Sequence, residues 1–523
     1  MTNRPALDAA RLDRAVATLP ERFRGPGGAV AVVKDGEVVV RHAFGYSDLE
    51  ARIPFAPTTL VPICSITKQF TCALMLDLVG DPALLDAAVA AQMPKLHGPV
   101  PTAANLADNQ SGLRDYWALT VLCGAAPEGE FRPEDAKTLI GRTTSLHFAP
   151  GTRYSYSNGN FRVLGTALEA HAGKPFEELL MERIVRPAGM ETAVYGPETR
   201  TVPGGAVGYD GDPNYGFVPG INRIHWSGDA GLCASLDDMI AWERFIDRTR
   251  DEPNGLYRRL SHPTTFADGN PAQYGLGLSR TLRNGRVVTG HGGALRGWRS
   301  HRLHLADARL SVVVLFNHAG DARGAALSVL AAALGEDAPQ ATGSDVHASA
   351  FAGSFLDEET GLLLDLAPLP GGKVSARYGT GAEILTVSTD GVARSDGMVL
   401  VHAGAGLRLE RPADNLATRL SPVEGEAARD IDGVYRSDEL GSTLTVTSAG
   451  GALYAAFDGF LGKGAAQPLY PVGRDVWRMP CQRSLDAPSP GDWTVLVRRD
   501  DKGAVVGVTF GCWLARNVAF DKA

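Results

Sequence analysis

Ser65-Ile66-Thr67-Lys68 sets a hydroxyl and an amine three residues apart. On a helix that spacing is one turn along the same face, so the amine can approach the hydroxyl. Ser65 would lie at or near the helix N-terminus, where free backbone N–H groups and the helix dipole favour negative charge. A hydroxyl beside an amine at such a place is a plausible nucleophile arrangement. Taken alone, an N-cap serine followed by a solvated lysine satisfies the pattern equally. A second group is Tyr156-Ser157-Asn158, in the glycine-bounded polar loop 151–160 before a helical run at 161–171. A phenol there can reach a cleft and exchange protons, and the Asn158 amide can position a substrate carbonyl or the lysine. Ser-Asn-Gly also makes an ordinary turn unaided. The third is Gly290-His291-Gly292-Gly293-Ala294, directly after Val287-Val288-Thr289. Glycines beside a strand let a backbone or a substrate approach closely, and exposed main-chain N–H groups there can polarise a carbonyl.

These groups need a scaffold, and the surrounding sequence supplies one. Ala29 to Val33 and Val38 to Val40 flank Asp35-Gly36, and Asn284-Gly285 leads into Val287-Val288-Thr289; both are hairpin signals. Trp298 to Leu305 and Leu310 to Phe316 read as two further strands. Helical spacing recurs between these β groups (Ile66-Phe70-Ala73-Leu74; Phe176-Leu179-Leu180), and an alanine-rich helix, 324–334, closes the unit. Strands at both ends with helices between predict an α+β domain whose antiparallel sheet is completed by both termini. We place it at 1–335, followed by a polar linker at 336–347. Short strands then dominate. Residues 351–355 align with 431–435, and 361–366 with 441–446, at a common 80-residue offset (Gly353 with Gly433, Gly361 with Gly441). That suits two related antiparallel β-barrels, 348–420 and 421–523.

Composition removes several classes. With 44% apolar and 21% charged residues, the 523-residue chain fits a soluble globular protein of more than one domain. Its apolar stretch 310–316 is far short of the ~20 residues of a spanning helix. Fifty-one basic against 59 acidic residues, without a basic run, argues against nucleic acid. Six scattered cysteines with no CxxC read as buried thiols, not as a disulfide framework or zinc site. The first residues lack the apolar core of a secretory signal, so the cytoplasm is expected. Neither metal nor cofactor is expected.

In this order, on an α+β domain of this size, SxxK, YxN and HxG resemble the penicillin-recognising serine enzymes: serine β-lactamases, D-alanyl-D-alanine peptidases and related esterases and amidases. Asn109-Gln110-Ser111-Gly112-Leu113 and Gly228 to Ser235 are similar to further stretches of that family. The likeness covers about residues 10–334. It implies acyl transfer. Ser65 would attack a carbonyl, and Lys68 and Tyr156 would share the proton traffic, the choice of base staying open. Asn158 would orient substrate and lysine, and the N–H groups of Ser65 and Ala294 would form the oxyanion hole. His291 and Gly293 would line the opposite wall.

The third motif departs from the lysine-and-hydroxyl version that recognises a substrate carboxylate, which argues against a carboxypeptidase or β-lactamase as the main role. A catalytic domain followed by two barrels resembles the D-stereospecific aminopeptidase branch, in which a loop of the last barrel reaches the cleft. Residues 479–492 are the candidate loop. Asp486 is the expected anchor for a substrate ammonium, with Asp492 in reserve. The expected substrate is a small peptide, amide or ester with an N-terminal D-residue such as D-alanine. A homodimer is expected from family likeness. The competing readings are an esterase of the same superfamily and a non-catalytic penicillin-binding sensor.

Overall fold

The computed structural model describes residues 7–336, 348–379, 381–481, 484–485 and 489–523. Most of the expected linker lies outside them.

Asp35 and Gly36 have φ of 54° and 79°, and Asn284 and Gly285 have 49° and 75°. Two consecutive positive φ values match the twist of paired strands, so each dipeptide closes a tight hairpin. The first joins Gly27–Lys34 to Glu37–Asp48, and the second joins Leu278–Arg283 to Arg286–Leu295. Trp298–Leu305 and Leu310–Phe316 complete the antiparallel sheet, with Leu310–Phe316 pairing onto Gly27–Lys34. Both ends of the domain therefore meet at the centre of one eight-stranded sheet.

Alternation along the central strands divides the core. Val30, Val32, Val312 and Val314 pack under the helices Ala9–Ala17 and Ala322–Ala333. Ala29, Ala31, Val313 and Leu315 face the helices contributed by the middle of the chain. The helix Thr67–Leu78 runs through that second layer. Its residues from Thr67 to Leu76 are all buried, so its periodicity marks a helix surrounded by protein and not an amphipathic surface helix.

The strands from Gly353–Asp357 to Leu416–Pro422 form a closed eight-stranded barrel. Those from Gly433–Ser437 to Ala515–Lys522 form a second ring, closed by pairing of Ser442–Ala449 with Ala452–Gly459. The repeat has a physical counterpart at the first turn of each barrel. Gly361 (φ 67°) donates to the Asp357 carbonyl at 2.9 Å, and Gly441 (φ 60°) donates to Ser437 at 2.8 Å. The expected seam at 420/421 falls inside the strand Leu416–Pro422, because pairing with Gly406–Arg411 continues through Leu420 and Val423 still bonds to Ser354. The break between barrels therefore follows Val423.

The second barrel shares one continuous apolar core with the first domain, through residues such as Tyr435, Phe457 and Trp493. Backbones touch at this seam: a Cβ on Gly459 would lie 2.6 Å from the Cys123 carbonyl oxygen. Five cysteines are buried thiols, whereas Cys481 is only partly buried.

Candidate active site

The chain enters the site along Val61–Pro62, a short strand paired with Leu232–Ala234. Ile63 donates to the Leu232 carbonyl, and Leu232 donates to Thr67 Oγ1. The glycine-rich stretch 228–235 thus clamps both sides of the turn that carries Ser65. Cys64 then adopts φ 53°, a left-handed conformation that costs an L-residue of order 1–2 kcal/mol. This bend opens the short 3₁₀ turn Cys64–Ile66, from which Thr67–Leu78 continues. Ser65 is partly exposed on the turn, and Lys68 is fully buried one turn on.

Lys68 Nζ lies 2.9 Å from Ser65 Oγ, 2.8 Å from Asn158 Oδ1 and 2.8 Å from the Asp229 carbonyl oxygen. The last two can only accept. If Lys68 is a neutral amine, its two N–H bonds serve them and its lone pair faces the serine; if it is an ammonium, all three N–H bonds are satisfied. Tyr156 shares a 2.8 Å hydrogen bond with Ser65 Oγ from the other side. Ser65 is therefore held between a lysine and a phenol.

Asn158 begins the helix Asn158–Ala172. Its amide is oriented by Asp115, whose Oδ2 accepts from Asn158 N at 2.6 Å and from Nδ2 at 2.8 Å, leaving Oδ1 for Lys68. Asp115 also caps the helix Tyr116–Leu122 through Trp117 N–H and Ala118 N–H. Burial raises its pKa, while bonds from Asn158 and the nearby Lys68 charge act in the opposite direction. Sequence reasoning missed Asp115, which lies 43 positions from Asn158 and carries no motif. Asp229 was visible only as part of the glycine-rich stretch. Its carboxylate accepts from Tyr116 OH (2.5 Å) and Ser227 N–H (2.7 Å), which fixes the peptide whose carbonyl meets Lys68.

The third wall is Arg286–Leu295. Beyond Gly290 this strand has lost its partner Leu278–Arg283 and keeps only Trp298–Leu305. Its free edge packs against the nucleophile turn: a Cβ on Gly293 would lie 2.2 Å from the Ile63 carbonyl oxygen and 3.0 Å from Cys64 Cβ. Only glycine lets the strand approach so closely. His291, expected on the wall, is buried and engaged at both nitrogens. Nδ1 lies 2.6 Å from the Gly292 carbonyl oxygen, an acceptor, so Nδ1 carries the proton; Nε2 accepts from Tyr274 OH at 3.0 Å. Burial, reinforced by the Lys68 charge, lowers its pKa to about 3, so the ring is neutral. His291 thus shapes the wall through Tyr274, a partner that sequence reasoning missed.

Ser65, Lys68, Tyr156 and Asn158 form one bonded cluster, with His291, Gly293 and Ala294 beside it. Asp486 lies outside the described residues. The reserve candidate, Asp492, is occupied elsewhere: its carboxylate pairs with Arg377 of the first barrel at 3.0 Å and with Arg478 at 4.0 Å. It is a contact between barrels and not a free amine anchor. The described part of the 479–492 segment does reach the catalytic domain. Leu485 is buried against Gly129, and the Ser484 carbonyl accepts from Arg296, two residues beyond Ala294. Arg296 also holds the carbonyls of Ile221 and Pro127.

No group of side chains suited to a metal ion occurs among the described residues, and none of their helices is long and apolar enough to cross a membrane.

Comparison with known proteins agrees with this architecture. The Beta-lactamase family matches residues 12–335, and the family described as D-aminopeptidase, domain B matches residues 345–521. A D-aminopeptidase of Brucella ovis is 52% identical over 518 residues, covering 99% of this chain and 100% of the relative. One from Brucella anthropi is 52% identical over 516 residues, covering 98% of each. Among solved structures, an octameric penicillin-binding protein homologue from Pyrococcus abyssi superposes with a TM-score of 0.56 at 22% identity, over 79% of this chain and all of its own; at that identity the likeness concerns the fold. The chain therefore belongs to the β-lactamase family, in the group whose curated members are named D-aminopeptidases.

Proposed function

We propose that the protein is a D-stereospecific aminopeptidase that releases small N-terminal D-residues from peptides, amides and esters through an acyl-enzyme on Ser65. The observation that carries this reading is Ser65 Oγ held at 2.9 Å from Lys68 Nζ and 2.8 Å from Tyr156 OH, in a chain 52% identical over its length to proteins named D-aminopeptidase.

Ser65 Oγ adds to the substrate carbonyl carbon as its proton passes to the Lys68–Tyr156 pair. The resulting oxyanion is received by the N–H groups of Ser65 and Ala294, which act on charge that develops only in the transition state. The C–N bond then breaks, and the departing amine takes the proton back through the same pair. Water adds to the ester, and the mirror-image steps free the D-amino acid and restore Ser65. Lys68 Nζ and Tyr156 OH both lie within bonding distance of Ser65 Oγ, so either can take its proton.

Selectivity follows from what the site offers. A neutral His291 locked onto Tyr274 offers a substrate carboxylate no positive charge at that position, which supports an aminopeptidase over a carboxypeptidase. The 479–492 segment, held through Ser484 and Leu485, is the part of the second barrel assigned to recognise the free ammonium, with Asp486 as its carboxylate. A cytoplasmic homodimer completes this reading and is checked by light scattering and cell fractionation.

The decisive assay compares D- and L-alanine amide, each as free amine and as the N-acetyl form. Turnover of free D-alanine amide alone supports the proposal. Equal turnover of both enantiomers removes the D-stereospecificity, and hydrolysis of short p-nitrophenyl esters only replaces the proposal with an esterase.

A further inference from the structure

The loop that carries Tyr156 is held from two sides. From inside the catalytic domain, Asn109 accepts Ser155 N–H on its carbonyl (3.0 Å) and Ser157 N–H on Oδ1 (3.2 Å). From outside, the contact comes from the first barrel, a domain that the proposed reaction does not otherwise use. Its turn Pro412–Asp414 leads into Asn415, at φ 51°. The Asp414 carbonyl accepts from Tyr154 N–H at 3.2 Å. Asn415 Nδ2 donates to the Thr152 carbonyl at 2.9 Å and to Asp268 Oδ2 at 2.8 Å, and Asn415 Oδ1 accepts from Asn270 Nδ2 at 3.0 Å. Ala267 N–H closes the cluster on the Gly151 carbonyl at 2.8 Å.

The turn itself is braced by side chains of the barrels. The buried Asp414 carboxylate bonds to Arg411 at 2.6 Å; Arg411 also reaches Glu383 at 2.9 Å and lies over the Tyr378 and Trp513 rings. On the catalytic side, the Tyr154 ring packs on Tyr274 with centroids 5.5 Å apart, and Tyr274 bonds to His291. One residue, Tyr154, two positions before Tyr156, therefore links the barrel turn through its N–H to the third wall of the site through its ring.

Resting on the acyl-enzyme reading above, we propose that the first barrel sets the position of Tyr156, with Asn415 and the Asp414 carbonyl as positioning residues for proton transfer at Ser65. The barrel fixes the outer side of the loop, so the phenol meets Ser65 at bonding distance without reorganising during the reaction. Misplacing a reacting group by about 1 Å costs roughly 10²-fold in rate, so a partial loosening is expected to cost less.

The test is Asn415→Gly in the full chain, which keeps a residue suited to the left-handed backbone but removes the amide. With D-alanine p-nitroanilide, kcat falls by about 10-fold, KM stays within about 2-fold, and the pH profile of kcat shifts because the Lys68–Ser65–Tyr156 proton sharing has changed. Asp268→Asn, which retains an oxygen acceptor for Asn415, stays near wild type. Should Asn415→Gly fail to fold, Asn270→Ala, which removes one exposed bond to Asn415, carries the same comparison. A fluorophosphonate probe separates this proposal from the reaction it rests on: Ser65 Oγ bonds to phosphorus, fluoride leaves, and the serine proton passes to the Lys68–Tyr156 pair. Failure to label the wild type overturns the acyl-enzyme reading. Normal labelling of the wild type, with an Asn415→Gly variant that labels as fast and keeps kcat and its pH profile while melting earlier, overturns the positioning role alone.

Discussion

Gly293→Ala tests how closely the third strand must lie on the nucleophile turn. The added Cβ would sit 2.2 Å from both the Ile63 carbonyl oxygen and Ser300 Oγ, and 3.0 Å from Cys64 Cβ. Ser300 can rotate, at the cost of its own 2.9 Å bond to the Ile63 carbonyl. The Ile63 carbonyl is backbone and cannot. Restoring ordinary contact requires a shift of about 1 Å between the strand and the turn that precedes Ser65, and overpacking of this kind costs roughly 1–3 kcal/mol. The same shift separates the Ala294 N–H from the oxyanion position. Displacement of this size costs about 10²-fold in rate, and outright loss of one oxyanion donor up to about 10³-fold. Gly292→Ala is the control. Its Cβ would meet the His301 side chain at 3.1 Å and the Ser300 carbonyl at 3.6 Å, on the opposite face of the strand. Kinetics with D-alanine p-nitroanilide, alongside thermal melting, should show kcat/KM down by about 10²–10³-fold for Gly293→Ala and within about 3-fold of wild type for Gly292→Ala. Equal effects from the two, or a Gly293→Ala enzyme within 3-fold of wild type, would refute the claim that close approach of this strand builds the site.

Three further outcomes follow from the geometry. Asp115→Ala removes the acceptor that orients Asn158 and the cap of the helix Tyr116–Leu122, so kcat should fall by about 10²-fold and stability by roughly 2 kcal/mol; unchanged kcat in a folded variant would show that Asn158 needs no such support. His291 has its pKa depressed to about 3, so it gains charge only as pH falls well below its usual range. Imidazole ¹⁵N spectra at pH 5.5 should show a neutral ring protonated at Nδ1, and a titration near pH 6.5 would contradict the buried bond to Tyr274. Asp486→Ala should raise KM for free-amine substrates while sparing esters that lack the amine; an equal effect on both would remove Asp486 as the ammonium anchor.

Local chemistry made a large part of the molecule readable. Asp35-Gly36 and Asn284-Gly285 close hairpins because their backbones accept positive φ, and that information resides in two residues. The α+β class followed from where the strands fell, and the motif residues Ser65, Lys68, Tyr156, Asn158 and Gly293 converge in space. What stayed hidden was mostly long-range. Asp115 reads as one more acidic residue until Asn158 folds onto it, and Tyr274 as one more aromatic until it meets His291. His291 reads as a lining residue, and the sequence does not reveal that both its nitrogens are used internally. Asp492 looked available in a proline-rich segment, but Arg377, 115 positions earlier, neutralises it. The support lent by Asn415 to the Tyr156 loop is likewise a contact between domains, which no periodicity records.

The central claim is that Ser65 becomes covalently esterified during turnover. Acid quenching of the enzyme with a D-alanine ester, followed by peptide mass mapping, tests it most directly. A D-alanyl adduct is expected on the peptide containing Ser65, absent from Ser65→Ala, whose kcat falls by about 10⁶-fold. An adduct on another residue, or undiminished turnover in Ser65→Ala, would contradict it.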